Sequence, residues 1–157
     1  GEPSEAFLDI PSLRQRIVAI RGQGAWRNQK RLTPESRAAA GSSCVSLCSR
    51  SIRVLQKRPD QSFPGKIRLL GVASLNLVSV AMGQTAGALE ATPKIWDLAA
   101  AWLVLTELDC PLIWLGPHPA HLQPGRDLSE MGFPVVAAGS QKQLERLAPW
   151  GESLLKG

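Results

Sequence analysis

The stretch that most constrains this chain is LAAAWLVL, Leu98–Leu105, inside the longer segment LEATPKIWDLAAAWLVLTEL that runs from Leu89 to Leu108. A helix that is apolar on every side has to be buried. At eight residues the run is far below the ~18 needed to cross a bilayer. It therefore demands a protein core around it. Trp96 and Ile95 extend the apolar surface, and Thr92 followed by Pro93 supplies an N-cap and a first helical position. Two carboxylates stand at the mouth of this helix, Asp97 in its first turn and Glu90 just upstream. An acid in a first turn complements the helix dipole by ~0.3–1 kcal/mol, and a strand-end acid can simply face solvent. A helix N-terminus beside an acid can also hold a divalent cation and a phosphate together.

The rest of the chain alternates between strand and helix signals. LRQRIVAIRGQGAWRNQKRL (Leu13–Leu32) reads as a strand, a Gly-punctuated turn region and a second short strand, with Gly22 and Gly24 giving backbone freedom. TPESRAAAGSS is a polar loop with room for one helical turn. CVSLC is a strand, SRSIRVLQKR a helix with Ile52 and Leu55 inward, PDQSFPG a loop and KIRLLG a strand. VASLNLVSVAMG is a helix that Gly83 stops. QTAGALEA is a strand ending near Glu90, and CPLIWLGP another. Pro117–Phe133 is a Pro/Gly-rich loop region, FPVVAAGS a strand and QKQLERLAPWGESLL a closing helix. The opening GEPSEAFLDIPSL shows neither a helix start nor a clear strand, and with no initiator Met the chain reads as entered partway. The alternation gives an α/β or layered α+β class. With 157 residues, no repeat and no linker, a single domain over 1–157 is expected.

The net charge is +5, and the basic excess lies before residue 70. That half lacks the aromatic interleaving and the motifs of a nucleic-acid binder, so it reads as a solvated face or a field that attracts anionic small substrates. Cys44, Cys48 and Cys110 are too few and too sparse for a disulfide framework or a zinc site, which fits a reducing cytoplasm. No signal peptide is evident. Of the eight aromatics five are Trp, each a candidate anchor.

Other chemistry finds little support. RGQGA (Arg21–Ala25) lacks the Lys-Ser/Thr of a P-loop and the third glycine of a dinucleotide fingerprint. GSSC (Gly41–Cys44) needs a triad to act as a nucleophile elbow, and no acid partner presents itself for His118 or His121. LGVASLNL (Leu70–Leu77) is a strand-to-helix junction whose small residues let a ligand approach the backbone near Val72 and Ala73.

Together these pieces resemble a known family. GQGAWRN resembles the Gly-x-Gly-Ala-x-x-Asn hairpin of the inositol monophosphatase family. Gly71, Ala73, Asn76, Leu77, Val80, Ala81, Gly83, Glu90, Trp96, Asp97, Ala99 and Ala100 are similar to that family's next block, and VVAAGSQKQLERL to its closing strand and helix. The resemblance implies a layered αβαβα sandwich of the sugar phosphatase type, usually dimeric. It implies Mg²⁺-dependent hydrolysis of inositol monophosphate or a related small sugar phosphate. By matching positions, Asp97 is expected to be a metal ligand near the substrate hydroxyls, Glu90 to hydrogen-bond the polyol, and Ala73 to position substrate through its backbone. The family's upstream Glu and its Asp-Pro-(Ile/Leu)-Asp-Gly-(Thr/Ser) motif are not in this sequence, and Glu107-Leu108-Asp109-Cys110 stands where Glu-Ala-Gly-Gly is usual. The chain thus resembles the C-terminal half of such an enzyme, without the N-terminal metal-binding half. A non-catalytic binding or dimerisation module is the alternative.

Overall fold

The computed structural model describes residues 1–121, 123 and 125–155, with nothing described of the Ala39 side chain. The chain opens with an antiparallel sheet in the order β1 (Glu5–Ile10), β2 (Gln15–Ile20), β3 (Gly24–Arg27) and β4 (Lys30–Leu32). β1 corrects the reading of the first residues as neither helix nor strand. Glu5 to Ile10 alternates, with Ala6 and Ile10 buried, but Phe7 interrupts the polar face and hides the period. β4 is likewise an addition to the two strands read from Leu13–Leu32. Asn28 and Gln29 both take positive φ, 47° and 69°, as a two-residue hairpin turn requires. Asn28 fixes the turn: its Oδ1 accepts from the Arg16 N–H at 2.7 Å and its Nδ2 donates to the Arg14 carbonyl at 2.9 Å.

α1 (Pro34–Ala39) follows, its N-terminus closed by Thr33 and Ser36 in a reciprocal capping box. β5 (Cys44–Leu47) leads to a 3₁₀ turn at Ser51–Arg53 and a single α-turn, α2 (Val54–Lys57). The longer helix expected from SRSIRVLQKR is therefore reduced to these turns, with Ser51 and Val54 fully buried and Ile52 and Leu55 half-buried. β6 (Lys66–Arg68), α3 (Ala73–Ala81), β7 (Gly87–Glu90), α4 (Ile95–Glu107), β8 (Leu112–Trp114), β9 (Val135–Ala138) and α5 (Gln141–Leu155) complete the fold. The second sheet has the order β6-β5-β7-β9-β8, with β5 parallel to β6 and β7, and β9 antiparallel to β7 and β8.

α3 and α4 lie between the two sheets. Ile17, Ala19 and Ala25 from the first sheet meet Leu77, Val78, Leu98, Ala101, Val104 and Leu105 from the helices in one apolar cluster. A second cluster lies across the five-stranded sheet, where Leu144, Leu147, Trp150 and Leu154 of α5 pack on Val45, Leu47, Leu89 and Val136. α5 comes close enough that a Cβ on Gly87 would strike Leu147, and one on Gly151 would strike Val136. The described residues thus build sheet, helix, sheet and helix layers, four of the five in the expected αβαβα sandwich. The far face of the first sheet is uncovered, with Phe7 67% exposed.

Candidate functional site

The cleft that gathers the two carboxylates opens at the C-terminal ends of β5 and β7. Its volume is about 410 Å³, and Cys48, Arg50, Ala73, Asn76, Glu90 and Asp97 all line it. A larger concavity of about 800 Å³ lies on the uncovered face of the first sheet, among Phe7, Arg16, Val18 and Trp26. Its one carboxylate, Asp9, is already paired with Arg16 at 2.7 Å, so the smaller cleft is the better candidate for chemistry.

Glu90 ends β7 and is only 2% exposed. Its Oε1 accepts from Asn76 Nδ2 at 2.5 Å, while Asn76 Oδ1, equally buried, has no partner. Burial pushes the Glu90 carboxyl pKa up. The Asn76 amide and the Cys48 thiol oppose the shift, and the nearby Asp97 charge adds to it. Asp97, seven residues along the chain in the first turn of α4, is half-buried. Its Oδ2 accepts from the Lys94 N–H at 2.9 Å, so it does cap its own helix, and Oδ1 is left for the cleft.

The start of α4 differs from the expectation in two ways. Lys94, with extended backbone (φ −87°, ψ 166°), is the N-cap, and the helix begins at Ile95 rather than Pro93. The reason is tertiary: the Pro93 carbonyl accepts from the Phe133 N–H at 2.8 Å, which holds Pro93 outside the helix. Trp96 is 64% exposed and anchors nothing. The burial inferred for the helix begins at Leu98, one turn later.

Ala73 is the first residue of α3 and sits in the cleft. Val72 precedes it in extended conformation with no side-chain cap, and Gly71 turns the chain with φ of 80°. An uncapped helix N-terminus leaves N–H donors for an anion. Arg50 adds a cation to the same cleft, tethered by an Nη1 bond of 2.8 Å to Thr92 Oγ1. The structure brings Glu90, Asp97 and Ala73 to one cleft and adds Asn76, Arg50 and Cys48. Arg50 was legible in sequence only as part of a general basic excess. Asn76 stood in the matching block without a role. His118 and His121 lie elsewhere, stacked against each other and, through His118, against Trp102 and Trp114.

The donor set for a divalent cation is thin. Asp97 has one carboxylate oxygen to offer, whereas Glu90 is buried against Asn76 and biased toward its neutral form. Among the described residues no three His, Cys, Asp or Glu side chains cluster as ligands. Mg²⁺ takes about six oxygens in octahedral order, so these residues alone do not make its site.

Known proteins share this architecture. A structure of inositol monophosphatase II from Staphylococcus aureus MSSA476 superposes with a TM-score of 0.72 at 20% identity, covering 100% of this chain and 61% of that one. An IMPase/NADP phosphatase complexed with Mg²⁺ and phosphate gives 0.66 at 23% identity, covering 94% of this chain and 55% of that one. By sequence the chain is similar to the Nus factor SuhB of Xylella fastidiosa, 29% identical over an alignment of 126 residues that covers 68% of this chain and 42% of that protein. The chain thus spans less than half the length of that relative. The model of one family matches residues 1–149, and with that match running from the first hairpin into α5, the chain belongs to the inositol monophosphatase family.

Proposed function

We propose that the cleft is the substrate-reading part of a Mg²⁺-dependent phosphomonoester hydrolase acting on inositol monophosphate or a related small sugar phosphate. The observation that supports this most is the convergence of Glu90 and Asp97 on a cleft that also holds an uncapped helix N-terminus. Glu90, whose pKa burial raises, hydrogen-bonds a polyol hydroxyl, and Asn76 orients it. The amide donors beginning at Ala73, with Arg50, favour an anionic oxygen. Asp97 contributes one ligand of the cation and lies near the substrate hydroxyls. Bound Mg²⁺ would neutralise phosphoryl charge, but its remaining carboxylate ligands have to come from outside these residues. The proposed setting is a cytoplasmic protein, with the chain as one half of a larger catalytic unit or paired in a homodimer. No described helix is long and apolar enough to cross a membrane.

The thin ligand set favours a second reading, a family member retained as a binding or dimerisation module without turnover. Phosphate release from inositol 1-phosphate, with and without Mg²⁺ and beside Asp97→Asn, separates the two. The Asn side chain keeps an oxygen for the Lys94 N–H, so folding should survive. Mg²⁺-dependent release that falls about 100-fold or more in the variant, the scale of losing a transition-state contact, supports the hydrolase. Release that persists in the variant overturns the role given to Asp97. A folded chain that releases nothing, and whose thermal unfolding is not shifted by Mg²⁺ with inositol 1-phosphate, supports the module; silence with such a shift that Asp97→Asn removes supports an incomplete hydrolase half.

A further inference from the structure

We propose that a second cleft, at the opposite end of the five-stranded sheet, binds a small oxyanion of the phosphate type. This cleft has a volume of about 260 Å³ and is lined by Arg37, Ser42, Thr85, Ala86, Gly139 and Ser140, among others. Ser42 precedes β5, Thr85 and Ala86 precede β7, and Gly139 follows β9. The length of β7 therefore separates it from Glu90, roughly 13 Å at ~3.3 Å per residue.

Three kinds of donor meet there without an acceptor. The first is the N-terminus of α5, a 15-residue helix with no acidic side chain in its first turn. Ser140 takes up the Gln143 N–H through Oγ at 3.3 Å and the Leu144 N–H through its carbonyl at 3.0 Å. The N–H groups of Gln141 and Lys142 have no acceptor among the described residues. The second is Thr85, 4% exposed, whose Oγ1 has no hydrogen-bond partner among the described residues. The third is Arg37, whose buried Nε is also unpartnered. A buried donor without a partner costs ~1–3 kcal/mol, and native structures leave few.

Arg37 is held in place rather than free to swing out. Its Nη1 donates to the Leu108 carbonyl and to Cys110 Sγ. Its backbone is pressed on Gly83, where φ is +73° and a Cβ would come within 2.6 Å of the Arg37 carbonyl oxygen. The Nε lies 3.8 Å from the position a Cβ would take on Gly139, beside the start of α5. Arg37 makes no ion pair among the described residues. Two acids are nearby: Glu35, which turns back to its own backbone N–H and to Thr33, and Asp109, between the Leu108 and Cys110 that Arg37 contacts; neither lines the cleft. A fixed guanidinium, a buried hydroxyl and a helix N-terminus share one preferred ligand, a compact anion rich in oxygen acceptors. The volume admits phosphate alone or phosphate bearing a small organic group.

Backbone amide NMR of the full chain tests this, with inorganic phosphate titrated in Mg²⁺-free buffer at constant ionic strength. The amides of Thr85 and of Gly139 to Lys142 should shift saturably. In Thr85→Val, which removes an unpartnered hydroxyl and leaves the fold intact, affinity should fall about tenfold, the scale of one hydrogen bond to a charged group. Arg37→Gln should weaken it further. Shifts of the Ala73–Leu75 amides report the other cleft separately. No saturable shift at the start of α5, shifts spread over the basic surface, or unchanged affinity in Thr85→Val would each overturn the site. Repeating the titration with glycerol 2-phosphate identifies the source: tighter binding than phosphate indicates a phosphorylated metabolite, and equal binding indicates free phosphate.

Discussion

Glu107 and Glu90 meet backbone and amide donors in opposite ways. Glu107, near the C-terminal end of α4, is half-buried and accepts the Gly22 N–H through Oε1 and the Gly24 N–H through Oε2, both at 2.8 Å. Every strong demand is met: the hairpin between β2 and β3 is clasped to the helix, and both carboxylate oxygens are engaged. Glu90 meets the Asn76 amide, whose other end is unpaired among the described residues, and the weakly donating Cys48 thiol, and its charge is opposed by burial. The first is a structural clasp. The second has the unmet bonding capacity that a ligand completes. Acids of the same type are thus told apart by whether the fold has already satisfied them.

Glu107→Ala should show the largest effect on stability. It removes two hydrogen bonds to a charged group, ~3–6 kcal/mol together at ~1.5–3 kcal/mol each; because Gly22 is exposed and its N–H can turn to water, a loss of about 2–4 kcal/mol is expected in denaturant unfolding. A change below about 0.5 kcal/mol would mean that the clasp contributes nothing and the contrast fails.

Glu90→Gln should do the reverse. Because burial raises this carboxyl above its ordinary 4.5, the folded state holds the proton more tightly than the unfolded state. The unfavourable contribution is therefore absent below pH 4.5 and grows as pH rises through the folded pKa. The variant should match the parent near pH 4 and exceed it in stability at pH 8. If the parent were the more stable at pH 8, the Glu90 charge would be satisfied after all, and the two acids would be alike.

Trp96→Ala should have the smallest effect, within about 0.5 kcal/mol, as for an exposed side chain with no partner. A large loss would restore the anchoring role that the sequence suggested.

Much of the fold could be read from residue order. The buried run from Leu98 to Leu105, the strands ending at Leu47 and Glu90, the stop at Gly83 and the closing helix all follow from periodicity and turn chemistry, which are local. β1 was hidden because Phe7 is apolar on the outer face, and β4 because its turn uses Asn28 and Gln29 rather than glycine. The start of α4 moved by two residues because Phe133, far along the chain, holds the Pro93 carbonyl.

The site divides in the same way. Residue order alone supplied the chemical types, two carboxylates and a small-residue junction, since composition and spacing belong to the chain. It also determined which segments had to be buried, because an unbroken apolar run has no other stable place in water. Only the tertiary structure decided that Asn76 and Arg50 join Glu90 and Asp97, that Trp96 faces solvent, and that Arg37, Thr85 and the start of α5 meet at the far end of the sheet. Those outcomes depend on which groups from distant segments satisfy or strand one another, a long-range balance of hydrogen bonds and burial that local spacing does not encode.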